Sequence, residues 1–464
     1  MKLGPTQRLA VLATGLAWTG DAMLLTAPAF VLPALQAEWG IADSILADTL
    51  AASSFAGMLT GALLWGFLAD LNGRRNCWYL ANAITLLAAL INALIPKPCT
   101  TCFVIARSMV GVGLSGTNIG FTLASELLPA NLRGRVLVLF ELFFLLGVVL
   151  EAVLASVILS SGGSTGWRVL CAFSALPLIL ALLFAYLGKL PESPKMDFIR
   201  GRRERARATL LRIVRESKDS ELSIEGAEQG ECSRAVNEPH GRLLSSRNAK
   251  HLCLPPLRAT VFALSGSWFC LAFVYFGLQL LTPHALELNT LESMDRDINH
   301  PFDFSSSAIV SLLETPGIFV AASLVDSAGR PRAVALCAVS ATLLLIALNI
   351  ILESANAPVA AMLLLGASRS AALGSYSCLY VLSAESIPTE LRVTGFGLFS
   401  SCSRIAGVIT TFVAGSVFQR SHTASILLYA ALCALASVIN VSGLFRVSES
   451  EELISRTSSI EISE

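Results

Sequence analysis

The chain has 464 residues, 54% of them hydrophobic and only 14% charged, with a mean hydropathy of +0.67. Its 33 Lys and Arg balance 33 Asp and Glu, so no net field favours a nucleic-acid partner. So little charge at this length argues against an ordinary soluble domain and for a polytopic membrane protein.

A membrane-spanning helix needs about 20 mostly apolar residues. Such runs lie near 9–35, 45–69, 76–96, 102–125, 135–160, 167–189, 257–282, 306–327, 333–353, 357–382, 393–418 and 423–445. The first is too long for a signal-peptide core and is read as a retained helix. The expected fold is an all-α membrane protein of twelve transmembrane helices in two pseudo-symmetric six-helix bundles. The bundles are 1–189 and 257–446, with a polar central loop at 190–256 and an acidic, Ser-rich tail at 447–464. Residues 189–258 hold 15 of the 33 Lys and Arg. The loops that share their side carry Arg74, Arg75, Arg133, Arg330 and Arg392, so both termini are expected in the cytoplasm.

Along the chain, Asp21 stands in "AWTGDAMLLTAP" (17–28), deep inside the first apolar run. "CTTC" (Cys99–Cys102) is the only close cysteine pair, and its pairing is left open. Arg107 lies early in the fourth run, Glu141 and Glu151 in the fifth, Glu314 in "ETPG" of the eighth, Arg369 in the tenth and Arg404 in "SCSRIAG" of the eleventh. A charged side chain at the bilayer centre is costly, so each is a candidate for a cavity or a partner. Small residues in "GVGLSG" (111–116) are expected to serve close helix packing.

The chain repeats itself. "GFLADLNGRR" (66–75) and "ASLVDSAGRP" (322–331) share Asp, Gly and Arg 256 residues apart. "ELLPANLR" (126–133) and "ESIPTELR" (385–392) share Glu, Pro, Leu and Arg 259 residues apart. Two such halves rocking about a midplane site is a transporter design. Asp70, Arg74, Arg75, Glu126, Arg133, Glu141, Asp326, Arg330, Glu385 and Arg392 are the candidate cytoplasmic gate.

These motifs resemble the major facilitator superfamily. "GFLADLNGRR" is similar to its signature loop, and "PESP" (191–194) to a mark of the sugar-porter and organic-ion branches. "LAWTGDAM", "LETPGIFVAASLVDSAGR", "ESIPTELRVTGFG" and "CSRIAGVITTF" resemble the synaptic-vesicle-glycoprotein-like transporters, over about residues 10–445. The resemblance implies a gradient-driven carrier of small organic solutes. Helical rise places Asp21 about 18 Å and Arg107 about 22 Å above the cytoplasmic face. In proton-coupled sugar porters an Asp and an Arg at the matching places form the coupling pair, so Asp21 and Arg107 are expected to do so by resemblance. Arg404 is expected to contact an anionic substrate or to pair with Glu314. Arg369, Tyr275, Gln279, Tyr376 and Glu151 are further candidates for the substrate site, with Trp18 and Asn118 as candidate lining.

The expected function is secondary active transport of a small organic solute, a carboxylate favoured over a sugar, coupled to protons. The alternative is a vesicle or plasma-membrane protein of the same fold that binds ligand or serves trafficking without transport. The expected partners are the solute, protons and the bilayer, with the chain a monomer. No P-loop, metal cluster or nucleophile–base spacing is present in the sequence, so neither an enzyme nor a cofactor is expected.

Overall fold

The computed structural model describes residues 3–40, 44–97, 99–161, 165–217, 255–291, 309–353, 357–387 and 392–442. Among these the chain is helical, without a strand. The first half comprises α1 (Pro5–Trp39), α2 (Ser44–Asn72), α3 (Arg74–Ala93), α4 (Thr100–Leu114), α5 (Thr117–Leu127), α6 (Ala130–Ser161), α7 (Gly166–Phe173) and α8 (Leu176–Leu187). Short helices α9 (Pro194–Ile199) and α10 (Arg203–Ser217) follow. The second half comprises α11 (Pro255–Leu291), α12 (Thr315–Ser327), α13 (Arg330–Glu353), α14 (Pro358–Ser386), α15 (Arg392–Phe412), a π-helical turn (Val413–Val417), α16 (Phe418–Arg420) and α17 (His422–Val441).

All twelve apolar runs are helical in the described residues, and nine helices there are long and apolar enough to cross a membrane. The eighth run turns at Leu313–Glu314, just before Pro316 and Gly317. The fourth and sixth spans also break, α4 from α5 at Ser115–Gly116 and α7 from α8 at Ser174–Ala175, yet each continues across the membrane.

Helix starts and stops follow local chemistry. Pro5 opens α1 at a position where its missing N–H is not needed, and Gly40 closes it at φ 66°. Gly73 alone separates α2 from α3 at φ 94°, the left-handed region that favours glycine.

Each half is a six-helix bundle. In the first, α1 packs on α5, α6 and α8, and α4 on α2 and α3; in the second, α11 packs on α14, α15 and α17, and α13 on α14 and α17. Small residues let backbones touch. A Cβ on Gly57 of α2 would sit 1.9 Å from the Ser108 carbonyl oxygen of α4, and one on Gly317 of α12 would sit 2.0 Å from the Ser370 carbonyl oxygen of α14. The two contacts are repeat-related, with Gly57 and Gly317 260 residues apart and Ser108 and Ser370 262 apart. Gly111 makes the same kind of approach to Ser54, as "GVGLSG" predicted.

The halves meet where α2 packs on α15 and α1 on α11. Phe55 of α2 fills the space beside Gly407 of α15, and Asp48 approaches Gly415 in the π-helical turn. These contacts lie at the end remote from the N-terminus. At that same end Glu38 accepts from Arg168 at 2.9 and 3.0 Å and from the Trp167 indole N–H, and pairs with Lys97 at 2.6 Å. Cys99 and Cys102 are joined there as a disulfide.

Candidate functional site

A cavity lies between the bundles at the level of Asp21. It holds about 590 Å³ of unfilled space, counted out to its open mouth. α1 contributes Trp18, Asp21 and Leu25, α5 Thr117 and Asn118, α6 Glu141 and Phe144, α11 Tyr275 and Phe276, α14 Tyr376 and Tyr380, and α15 Arg404. The spacing of Trp18, Asp21 and Leu25 puts all three on one face of α1.

The polar groups here are incompletely paired. The indole N–H of Trp18, Oδ1 of Asp21 and the Nε–H of Arg404 are buried atoms without a hydrogen-bond partner. Thr117 is the side chain within hydrogen-bonding reach of Asp21, and Arg404 is the cation whose field acts on it. The Arg404 guanidinium, 8% exposed, lies 5.8 Å from the Phe276 ring centroid. Tyr275 stacks on Tyr376 at 5.8 Å, the Tyr376 hydroxyl shares a 3.0 Å hydrogen bond with Ser403, and Gln279 donates to the Tyr275 hydroxyl at 2.9 Å. The outcome is an aromatic chamber with one guanidinium and two carboxylates, Asp21 and Glu141.

The geometry corrects several expectations. Asp21 and Arg107 are not brought together: Arg107 is 3% exposed and donates from Nη2 to the Leu24 carbonyl of α1, with Glu151 and Cys171 as the charges and dipoles around it. Equal depth did not bring the two side chains into contact. Glu151 is not on the cavity either. It is fully buried against Ser174, whose hydroxyl donates to both carboxylate oxygens at 3.0 and 2.9 Å. Glu314 pairs with Arg369 rather than Arg404, and Arg369 also donates to the Thr282 hydroxyl at 2.8 Å. That pair is buried beside the chamber rather than lining it, and Gln279 backs Tyr275 from behind. Glu141, expected at the gate, lines the chamber. Tyr275, Tyr376 and Arg404 line the chamber.

At the end that carries the N-terminus, Arg74 pairs with Glu126, and Ser193 donates to the same carboxylate. The Glu192 carboxylate accepts the backbone N–H groups of Arg74 at 3.1 Å and Arg75 at 3.0 Å, and Arg75 reaches the Leu190 carbonyl at 3.4 Å. Glu192 therefore caps the start of α3 with a negative charge, where the helix dipole favours one. These bonds join elements of the first half and its following segment, so they brace that half rather than bridge the two. The side chains of Asp70, Arg133, Asp326, Glu385 and Arg392 lie outside the described residues, and Arg330 opens α13. Glu192, Thr117, Phe276 and Tyr380 were not singled out as site residues. Glu192 sits inside "PESP", and Tyr380 one turn beyond Tyr376, so both carried a signal; Thr117, just past a helix break, carried none.

Residues 24–452 match the family described as "Sugar (and other) transporter". The chain is 30% identical over 449 residues to the "Synaptic vesicle 2-related protein" of Xenopus laevis, covering 92% of this chain and 76% of that protein. It is 30% identical to "Organic cation/carnitine transporter 7" of Arabidopsis thaliana, covering 96% and 91%. In fold it is similar to the partially occluded inward-open xylose transporter XylE from E. coli, with a TM-score of 0.74 at 19% identity over 94% of this chain and 96% of that one. Two repeat-related bundles, a polar chamber between them and a family match across nearly the whole chain make this protein a member of the sugar (and other) transporter family, within the major facilitator superfamily.

Proposed function

We propose that the chain carries a small organic ion across a membrane by alternating access, coupled to protons, with a carboxylate-bearing solute favoured over a sugar. The observation behind this reading is the chamber, where an unpaired N–H of Arg404 and an unpaired oxygen of Asp21 face aromatic walls. A guanidinium offers parallel N–H donors to a carboxylate, which suits an anionic group. Glu314 is taken by Arg369, which leaves Arg404 available to a solute. Asp21 is the proton site in this reading, with Arg404 rather than Arg107 as the cation that senses its charge.

The positive-inside pattern supports placing the N-terminal end in the cytoplasm. The closed α2–α15 contact at the opposite end then corresponds to a conformation facing the cytoplasm, in a vesicle or plasma membrane.

A specific observation favours a refinement. The chamber sets two carboxylates against one guanidinium and surrounds them with the rings of Trp18, Phe144, Tyr275, Phe276, Tyr376 and Tyr380. Aromatic faces and carboxylates attract organic cations. A zwitterion such as carnitine, named in one relative, would satisfy both signs. Proteoliposomes holding the purified chain test both ideas with radiolabelled carnitine, butyrate and xylose under an imposed pH gradient. Gradient-driven uptake of carnitine or butyrate above xylose is expected; xylose uptake alone, or no flux of any solute, would overturn the reading.

A further inference from the structure

α1 carries Pro28 inside the helix. Proline has no N–H, so the carbonyl four residues earlier, that of Leu24, loses its helical donor. A buried carbonyl without a donor is costly, and helices seldom leave one. Arg107, on α4, supplies the missing bond from Nη2. On the same turn, the Thr26 hydroxyl bonds back to the Ala22 carbonyl at 2.8 Å. This turn bears Asp21 and Leu25, both on the chamber wall.

The second half has a counterpart. Pro283 lies in α11, 255 residues after Pro28, and Arg369 on α14 lies 262 residues after Arg107. Arg369 donates to Thr282, whose hydroxyl bonds back to the Leu278 carbonyl at 2.7 Å. The preceding turns bear Tyr275 and Phe276 on the chamber wall. Each half thus anchors an arginine of its fourth span onto a proline-bearing turn of its first span.

We propose that Arg107 is a positioning residue that braces the Pro28 turn of α1 by giving Leu24 the hydrogen bond proline withholds, so that it holds Asp21 and its neighbours on the chamber wall rather than serving as the ionic partner of Asp21. Arg369 is tied to the Pro283 turn of α11 differently, through the Thr282 hydroxyl rather than through the carbonyl that proline leaves without a donor. Glu151, buried on α6, is the carboxylate whose field acts on the Arg107 guanidinium. What the brace is used for rests on the transport reading above; the brace itself does not.

A double-mutant cycle tests it. Pro28→Ala returns an N–H to the helix, so Leu24 no longer depends on Arg107. Thermal unfolding of the purified full-length chain is measured for Arg107→Met, Pro28→Ala and the double variant. Arg107→Met is expected to lower the midpoint by several degrees with Pro28 present, and by less than half as much in the Pro28→Ala background. The loss of countercharge to Glu151 is common to both backgrounds and cancels. If Arg107→Met yields no folded protein, recovery of folded protein on adding Pro28→Ala is the expected result. Equal losses in both backgrounds, or a double variant as unfolded as the single, would overturn the brace. Under an inward-directed pH gradient, the cycle is repeated on carnitine uptake: a brace predicts that Pro28→Ala restores part of the uptake lost in Arg107→Met, whereas direct pairing with Asp21 predicts no recovery. Coupling in unfolding without any flux retains the brace and rejects the transport reading.

Discussion

At the scale of single residues, the chamber is defined by what is left unpaired. A buried polar atom without a partner costs about 1–3 kcal/mol, and Trp18, Asp21 and Arg404 each present one to the same space. A solute that supplies an acceptor to Arg404 and a donor to Asp21 removes that cost. Replacing Asp21 by Asn keeps the shape and removes the charge that protonation would cancel. Asp21→Asn is therefore expected to abolish uphill, pH-driven uptake while sparing solute exchange, read as counterflow in proteoliposomes; undiminished uphill uptake contradicts it. Arg404→Lys keeps the charge but loses the planar fork. Binding of a carboxylate, measured by ligand-induced thermal stabilisation, is expected to weaken by roughly tenfold or more; unchanged binding places the carboxylate elsewhere. Asp21 and Arg404 were legible in the sequence as charges in apolar runs. Their partners were not. Depth follows from helical rise, but contact also depends on which way each side chain points, and it separates Arg107 from Asp21 despite similar depth.

At the scale of helices, buried pairs hold neighbours together and tolerate no loss of one member. Glu314 is fully buried and Arg369 is 2% exposed. Glu314→Gln leaves a guanidinium without its counter-ion, which typically costs about 3–5 kcal/mol. A sharp fall in the yield of monodisperse protein on size exclusion is expected, and a Glu314→Met, Arg369→Met pair should recover part of it. Outside the membrane, α10 is tied to the first turn of α1. Glu216 accepts the Thr6 N–H at 2.7 Å and the Thr6 hydroxyl at 2.8 Å, and pairs with Arg212 at 3.0 Å. Partial burial pushes its carboxyl up, but these donors outweigh it and hold the group below the usual carboxylate range. A depressed value in the folded state means the tie is present above the free-chain range, near pH 4.3, and is lost as pH falls through the lower folded-state value. Hydrogen exchange over α10 should accordingly rise only under strongly acidic conditions, and Glu216→Gln should show the raised exchange already at neutral pH. The helices of the twelve apolar runs were legible from the sequence, whereas this docking was not, because Thr6 and Glu216 stand 210 residues apart and neither belongs to a motif.

At the scale of the molecule, the duplication was the most legible feature. Loop motifs 256 and 259 residues apart pointed to it, and the matching backbone contacts at Gly57 and Gly317 carry it into the packing. The relation between the halves was hidden, because it depends on small residues on two separate helices meeting large ones. Gly407 of α15 is such a place, since a Cβ there would lie 2.3 Å from the Phe55 ring of α2. Gly407→Leu inserts a wedge into the closed end. It is expected to shift the population toward opening at that end, seen as faster thiol labelling of a cysteine introduced at Ser54, which is 1% exposed. Labelling no faster than in the parent chain would mean that this contact does not close the molecule.

The π-helical turn at Val413–Val417 has a consequence for length. Such a turn amounts to one residue inserted into an α-helix. Deleting a single residue there would return the backbone to a regular α-helix with the flanking turns little rotated, and would change which residue of the turn faces α2. Gly415 would then no longer be the residue presented to Asp48, and a bulkier neighbour would take its place. The α2–α15 seam is therefore sensitive to a change of one residue in register, even where every side chain type is retained.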